Sequence, residues 1–121
     1  MAEIGDYVPL IAKLLAKTKE SRIEWKATVD QQTFLCVLDG RYSFEIQKTR
    51  SASGTPIRRL AMKDSEAEDV FHKTAYTPAN TTSDENDALF ELLDELYERA
   101  RMTALKIDAK LRDANSILDR I

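Results

Sequence analysis

The residues with the clearest chemical potential are five cations that flank one Ser/Gly-containing loop. They are Lys48, Arg50, Arg58, Arg59 and Lys63. No acidic residue falls between the first and the last of them. Gathered on one lobe of a hairpin, they could hold a phosphate, a nucleotide or an acidic protein segment. Cations on an edge strand also prevent unwanted sheet-to-sheet pairing, and no Gly-rich phosphate loop accompanies the group.

Nucleophilic catalysis has little support in the sequence. His72 is the single histidine, and triads and most zinc sites need a histidine beside a second group that nothing here marks. Cys36 lies in the apolar run 34–38, where a thiol is expected to be buried and inert. Trp25 is in phase with its apolar neighbours, which favours core packing over a stacking platform for a base. We therefore expect no enzyme, although carboxylates that converge only in space would leave no motif.

Four carboxylates share one face of a predicted C-terminal helix and form the only candidate metal site. Glu91, Asp94, Glu95 and Glu98 follow the spacing i, i+3, i+4 and i+7. Di-metal helical bundles pair such glutamates with a following histidine, and none is present. We interpret this face as solvated, and we expect neither a metal nor another cofactor.

Size and charge favour one soluble, cytoplasmic domain. The chain has 121 residues, of which 43% are hydrophobic and 32% charged, and its net charge is −3. That charge argues against a general attraction to nucleic acid or to an anionic membrane. A single cysteine cannot form an intrachain disulfide and favours a reducing compartment. Neither a secretory signal nor an apolar run of bilayer length is visible.

The pattern of apolar residues predicts an α+β fold with an N-terminal helix, an antiparallel meander and a long C-terminal helix. Residues 7–20 carry one apolar stripe, with Asp6 as the expected N-cap. Residues 22–74 then read as four to five short strands, beginning with an alternating segment at 23–29. Asp39-Gly40 is a strong hairpin signal because both residues tolerate positive φ. Short links between strands imply antiparallel pairing.

The predicted C-terminal helix is longer than the body it would pack on. Residues 84–121 contain neither Gly nor Pro and would span about 55 Å as one helix. A compact chain of this length has a diameter of roughly 35 Å. The apolar seam runs the whole way and needs a partner beyond its own domain. Its predicted interface residues are Leu93, Leu96, Ala100, Ala104, Ile107, Leu111, Ala114 and Leu118.

Charge along this helix suggests an antiparallel homodimer. Residues 84–98 include seven acidic side chains and no basic one, whereas residues 99–121 include six basic and three acidic ones. Two antiparallel copies would set the acidic half against the basic half. The same distribution also suits the dipole of any single helix. The chain's own first helix, or a bend near Ala100, is the alternative cover for the seam.

Several segments resemble a loose group of small bacterial α+β proteins without an established activity. The resemblance covers most of the chain and rests on residues 14–18, 23–25 and 42–46, on Phe34, and on the terminal Leu-Tyr-Glu-Arg-Ala-Arg of residues 96–101. It implies a bacterial, cytoplasmic origin and transfers no site residue.

These observations predict a non-enzymatic interaction or accessory module of a bacterial cytoplasmic system. Self-association through the long helix is the expected mode, with an unknown protein as a further possible partner and no membrane. Binding of an anion, a nucleotide or a nucleic acid by the hairpin at residues 48–63 is the alternative, and nucleic acid is the least expected of the three.

Overall fold

A computed structural model describes residues 4–30, 32–77 and 84–121. Within these residues the chain forms three helices and five strands. The helices are α1 (Ile4–Lys19), α2 (Asp84–Ala104) and α3 (Ile107–Asp119), and the strands are β1 (Lys26–Ala27), β2 (Thr33–Leu38), β3 (Tyr42–Arg50), β4 (Pro56–Lys63) and β5 (Asp69–Tyr76). The sheet order is β1-β2-β3-β4-β5, with every neighbouring pair antiparallel. The predicted α+β class and antiparallel meander are confirmed.

The strand links follow from local turn chemistry. Asp39 and Gly40 have φ of 56° and 65°, as predicted, and Arg41 completes a three-residue loop between β2 and β3. Between β4 and β5, the Asp64 carboxylate accepts the backbone N–H groups of Glu66 and Glu68 at 2.9 and 3.1 Å. Such carboxylate caps hold a turn without help from the core.

The first strand is much shorter than predicted, because side chains turn the backbone away from the sheet. Instead of spanning 23–29, β1 holds only Lys26–Ala27. The Asp30 carboxylate accepts the N–H of Gln32 at 2.9 Å and the hydroxyl of Thr33 at 3.0 Å. These bonds keep the pKa of Asp30 below its ordinary value, the Gln32 N–H acting most strongly. The chain thereby enters β2 directly, and Val29 is left in solvent.

The helix α1 begins earlier than predicted. It starts at Ile4, so Asp6 falls in its first turn rather than at the N-cap. Near its other end, Thr18 is buried and its hydroxyl donates to the carbonyl of Leu14 at 2.8 Å. Trp25 Nε1 donates to the same hydroxyl at 3.0 Å, which fixes the approach of the chain to the sheet. The predicted core role of Trp25 is confirmed.

One face of the sheet forms the core, and both α1 and α2 pack against it. Alternation along the strands turns every second side chain towards the helices. The buried cluster therefore combines residues of α1, the sheet and α2. Of the two helices, α2 contacts more of the strands. Its members include Ile11, Leu14 and Leu15 of α1, Phe34, Cys36, Phe44, Ile46 and Leu60 of the sheet, and Leu89, Leu93 and Leu96 of α2.

The predicted single helix over residues 84–121 is wrong, because the chain turns between α2 and α3. Ala104 is the last residue of α2, and Lys106 has φ 54° and ψ 45°, the left-handed conformation. Lys106 donates its N–H to the carbonyl of Thr103 at 3.2 Å, and its carbonyl accepts the N–H of Lys110 at 3.0 Å. Neither Gly nor Pro stands at the break, so composition did not reveal it. In the described segments, no helix has the length and apolar character to cross a bilayer.

Arg58 joins α2 to the sheet. Its side chain projects from β4 beneath the helix, and the residue is only 8% exposed. Its Nε donates to Asp94 Oδ1 at 2.8 Å, and its Nη1 donates to the carbonyl of Ile57 at 3.2 Å. The guanidinium carbon lies 5.1 Å from the Phe90 ring centre and 5.7 Å from that of Tyr97. An ion pair and two cation–π contacts thus compensate a buried charge.

Asp94→Ala should destabilise the fold, because it leaves the Arg58 guanidinium buried without its counter-charge. Breaking a buried pair costs roughly 3–5 kcal/mol, but the Asp94 side chain is 40% exposed. Since water screens that side, we expect a loss of about 2 kcal/mol in the free energy of unfolding. Urea denaturation followed by circular dichroism measures it.

Glu95→Ala is the matched control. Glu95 pairs with Lys19 at 2.6 Å, with both side chains more than 40% exposed. A surface pair of this kind contributes about 0–1 kcal/mol. Equal losses in the two variants would contradict a special role for the Arg58–Asp94 pair.

Candidate functional site

The eight predicted interface residues divide between the core and the surface. Leu93, Leu96 and Ala100 are buried within the chain's own core, so a partner cannot reach them, and this part of the predicted interface is wrong. The seam continues along α2 because α2 itself needs it to cover the sheet. The remaining five grow more exposed along the chain: Ala104 and Ile107 are half-buried, and Leu111, Ala114 and Leu118 are exposed.

Helix α3 presents an apolar stripe that the described parts of the chain leave exposed. Leu111 is 64% exposed, Ile117 44%, Leu118 67% and Ile121 93%. Sequence reasoning missed Ile117, which lies beside the strict heptad positions, although its i+3 spacing from Ala114 was a usable signal. We call Leu111, Ala114, Ile117, Leu118 and Ile121 the α3 stripe.

The opposite side of α3 faces the rest of the chain. Ala109 and Arg112 line a groove of about 350 Å³ together with Thr18 and Lys19 of α1 and Met102 of α2. At 100° per residue, Ala109 lies about 160° from Leu111 and about 180° from Leu118, and Arg112 lies about 100° and about 120° from them. Ala109 and Arg112 therefore border the groove while the apolar stripe lies on other faces of the helix, and residues 109–121 are all exposed.

Strand alternation splits the predicted cluster of five cations between the two faces of the sheet. Lys48 and Arg50 lie in phase with buried Ile46 on β3, and Lys48 pairs with Arg58 across to β4. Arg59 and Lys63 point to the opposite, uncovered face. The prediction of one basic lobe is wrong for this reason: Arg58 and Arg59 are neighbours in the chain but project in opposite directions.

Three of the cations line a groove at the end of the sheet, beyond the edge of α2. The groove has a volume of about 450 Å³, and we call it the strand-end groove. Backbone contacts join its walls, since Lys48 N–H donates to the Gln32 carbonyl at 3.0 Å. Arg50 Nη1 donates to the carbonyl of Gly54 at 3.0 Å, which holds that guanidinium near the loop. The lining residues are Gln32, Lys48, Thr49, Arg50, Pro56 and Arg58.

The other two cations border a shallow depression on the open face of the sheet. Ala61 forms its floor, with Glu45 and His72 as its register partners on the neighbouring strands. Arg59, Lys63 and Asp69 complete the rim of a space of about 230 Å³. Carboxylates and cations alternate around it, so its charge favours neither an anion nor a cation. Across the described residues, no group of His, Cys, Asp and Glu side chains is placed to hold a metal ion.

The predicted carboxylate face of α2 is only partly solvated. Asp94 pairs with Arg58 and is half-buried, Glu95 pairs with Lys19 while remaining exposed, and Glu91 and Glu98 are exposed. Because two of the four are engaged in ion pairs, the face is a set of separate contacts rather than a single acidic surface.

Cys36 lies inside the core, between the sheet and the helices. Its side chain is 2% exposed, and burial raises the pKa of the thiol from 9.0 to about 12, with a weaker opposing effect from a hydrogen bond to the Phe44 backbone. Because the thiolate is the reactive form, this position suits packing rather than nucleophilic chemistry.

The Cys36 thiol should react slowly with a thiol reagent at pH 8 in the native protein and stoichiometrically in urea. Between pH 9 and 12 the unfolded thiol ionises while the folded one stays protonated, so stability should fall as pH rises, by at most about 1.4 kcal/mol per pH unit. A Cys36→Ala variant should lack this contribution to the slope. Rapid labelling of native protein would refute the buried, protonated state.

Comparison of the chain with protein-family models, with curated proteins and with solved structures gives no match. No activity, ligand or partner is therefore carried over from another protein. Among the described residues, the α3 stripe and the strand-end groove are two surface features whose apolar or positively charged side chains are not fully matched within the chain.

Proposed function

We propose that the chain is a non-enzymatic interaction module that associates with a second copy of itself through α3. The observation that carries this proposal is the outward-facing α3 stripe, in which Leu111, Leu118 and Ile121 are each more than 60% exposed. Exposed apolar groups that line up on one helix gain free energy when a partner removes them from water, at about 25 cal/mol per Å².

The spacing of the stripe suits one partner helix. Ile107, Leu111, Ala114, Leu118 and Ile121 are separated by 4, 3, 4 and 3 residues, the heptad pattern of a two-helix seam. At 100° per residue they fall within about 80° of arc, narrower than the stripe of a helix that covers a sheet. Ala114 lies at the centre, and its small side chain permits close helix approach.

Charge supports a second copy as the partner, in antiparallel orientation. Residues 107–121 carry Lys110, Arg112 and Arg120 against Asp108, Asp113 and Asp119, so their net charge is zero. Two such helices meet without net repulsion, and antiparallel packing sets opposite ends of their dipoles together. The pairing predicted along residues 84–121 is not available, because α2 buries its seam internally. The proposed contact is confined to α3.

The same neutrality argues against a lipid surface as the partner. Helices that lie on membranes carry an excess of Lys and Arg on the polar face, which α3 lacks. A helix–helix contact along the roughly 20 Å of α3 is also smaller than a standard interface of about 800 Å² per partner. We therefore expect a weak dimer, with a dissociation constant in the micromolar range or above.

A cytoplasmic, bacterial accessory role is the wider setting of this proposal. It is supported by the single buried cysteine, which suits a reducing compartment. The working surface in that setting is the α3 stripe, for a second copy or for an unidentified protein with a matching helix.

The double variant Leu111→Glu/Leu118→Glu should abolish dimerisation, because two carboxylates per copy would be buried in the contact. Sedimentation equilibrium over a range from micromolar to millimolar protein should show concentration-dependent mass for the native chain. The variant should remain at the 13.8 kDa of one chain. Both residues are exposed in the single chain, so the melting temperature at low concentration should change little.

Ser116→Glu is the control for this experiment. Ser116 is exposed and lies on the side of α3 away from the stripe. It adds a carboxylate to the same helix and should leave association unchanged. A native chain that stays monomeric at millimolar concentration would refute the proposal, as would equal effects of the two variants.

A further inference from the structure

The strand-end groove holds more positive charge than the surrounding protein compensates. Lys48 and Arg58 are directly opposed on β3 and β4, and like charges in that position destabilise a sheet. Asp94 compensates Arg58. In the described part of the chain, no carboxylate lies within 4.0 Å of Lys48 or Arg50, and the Arg50 guanidinium bonds only to a neutral carbonyl.

The side chains that line this groove offer mainly hydrogen-bond donors. Lysine and arginine donate and do not accept. Tyr97 Oη donates to Gln32 Oε1 at 3.3 Å, so the amide oxygen accepts a bond from the protein and the amide nitrogen carries two N–H donors. The lining contains no Asp or Glu, in contrast with the depression on the open face, where Glu45 and Asp69 stand beside the cations.

The dimensions of the groove fit more than a bare ion. Its volume of about 450 Å³ lies within the 300–1,000 Å³ usual for small-molecule sites. The Arg58 guanidinium at its base is held by Asp94 and by the Phe90 and Tyr97 rings, so it is fixed before any ligand arrives. Lys48 and Arg50 are exposed at the rim, where the bond to the Gly54 carbonyl holds the Arg50 guanidinium beside the loop.

We propose that the strand-end groove binds the phosphate group of a small phosphorylated molecule. A phosphate monoester has three terminal oxygens and nearly two charges, which match the ammonium of Lys48, the guanidinium of Arg50 and the Gln32 amide. A carboxylate has two coplanar oxygens and one charge, and would leave donors unused. Arg58 supplies fixed positive charge behind them. This site is separate from the α3 stripe and does not depend on dimerisation.

The test is a titration of the 121-residue chain with inorganic phosphate and with adenosine 5′-monophosphate, followed by amide NMR. Chloride at matched ionic strength is the reference. Both phosphates should cause saturable shifts at Gln32, Lys48 and Arg50 that chloride does not, with the monoester saturating at the lower concentration. Chloride-like behaviour of both phosphates would overturn the proposal, and binding of inorganic phosphate without the monoester would overturn the assigned ligand class.

Paired variants locate the site on one face of the sheet. Lys48→Ala/Arg50→Ala should weaken monoester binding at least about tenfold, since each lost charge-assisted bond is worth on the order of a factor of ten. Arg59→Ala/Lys63→Ala makes the same change of charge on the opposite face and should change the affinity less than about twofold.

Equal weakening by the two pairs would show a general charge effect and overturn the site. All four side chains project from the ends or open face of the hairpin rather than from the buried cluster, so both variants should fold, as circular dichroism checks. The variant Leu111→Glu/Leu118→Glu should bind the monoester normally. That result separates this proposal from the proposed self-association.

Discussion

The structure depends on the need to cover one apolar face of a five-stranded sheet. In this chain α2 does most of that work, with α1 beside it, and it uses Leu89, Leu93 and Leu96 to do so. The apolar seam of the C-terminal region is thereby divided in two. The apolar residues on α2 are buried against the sheet, and those on α3 from Leu111 onwards are exposed. The candidate interaction surface is what remains after the core is complete.

The same alternation that builds the core also sorts the charges. Because successive residues of a strand project to opposite faces, Arg58 enters the protein while Arg59 stays outside. Arg58 is compensated by Asp94, which lies 36 residues further along the chain. The two faces of one hairpin consequently differ in chemistry. On one face the cations lie beside neutral residues, and on the other face they lie beside carboxylates.

Local patterns predicted the fold well, and long-range contacts limited the prediction of the site. The Asp39-Gly40 turn, the strand β2 and the burial of Trp25 and Cys36 follow from neighbouring residues. The Arg58–Asp94 pair could not be predicted, because no periodicity links β4 to α2. The short β1 also escaped prediction, since side-chain bonds from Asp30 outweigh alternation there. The five cations are close in sequence and were therefore predicted to form one cluster. Because side chains alternate along each strand, they lie on two different faces of the sheet.

The left-handed Lys106 gives the end of the chain a property beyond its apolar stripe. A non-glycine residue in this conformation costs about 1–2 kcal/mol, and rotation of its two backbone dihedral angles to right-handed values would join α2 and α3 into one rod. Straightening would remove this local cost and would also separate α3 from the groove that it lines with α1 and α2. Any partner that fits one form better draws population towards it.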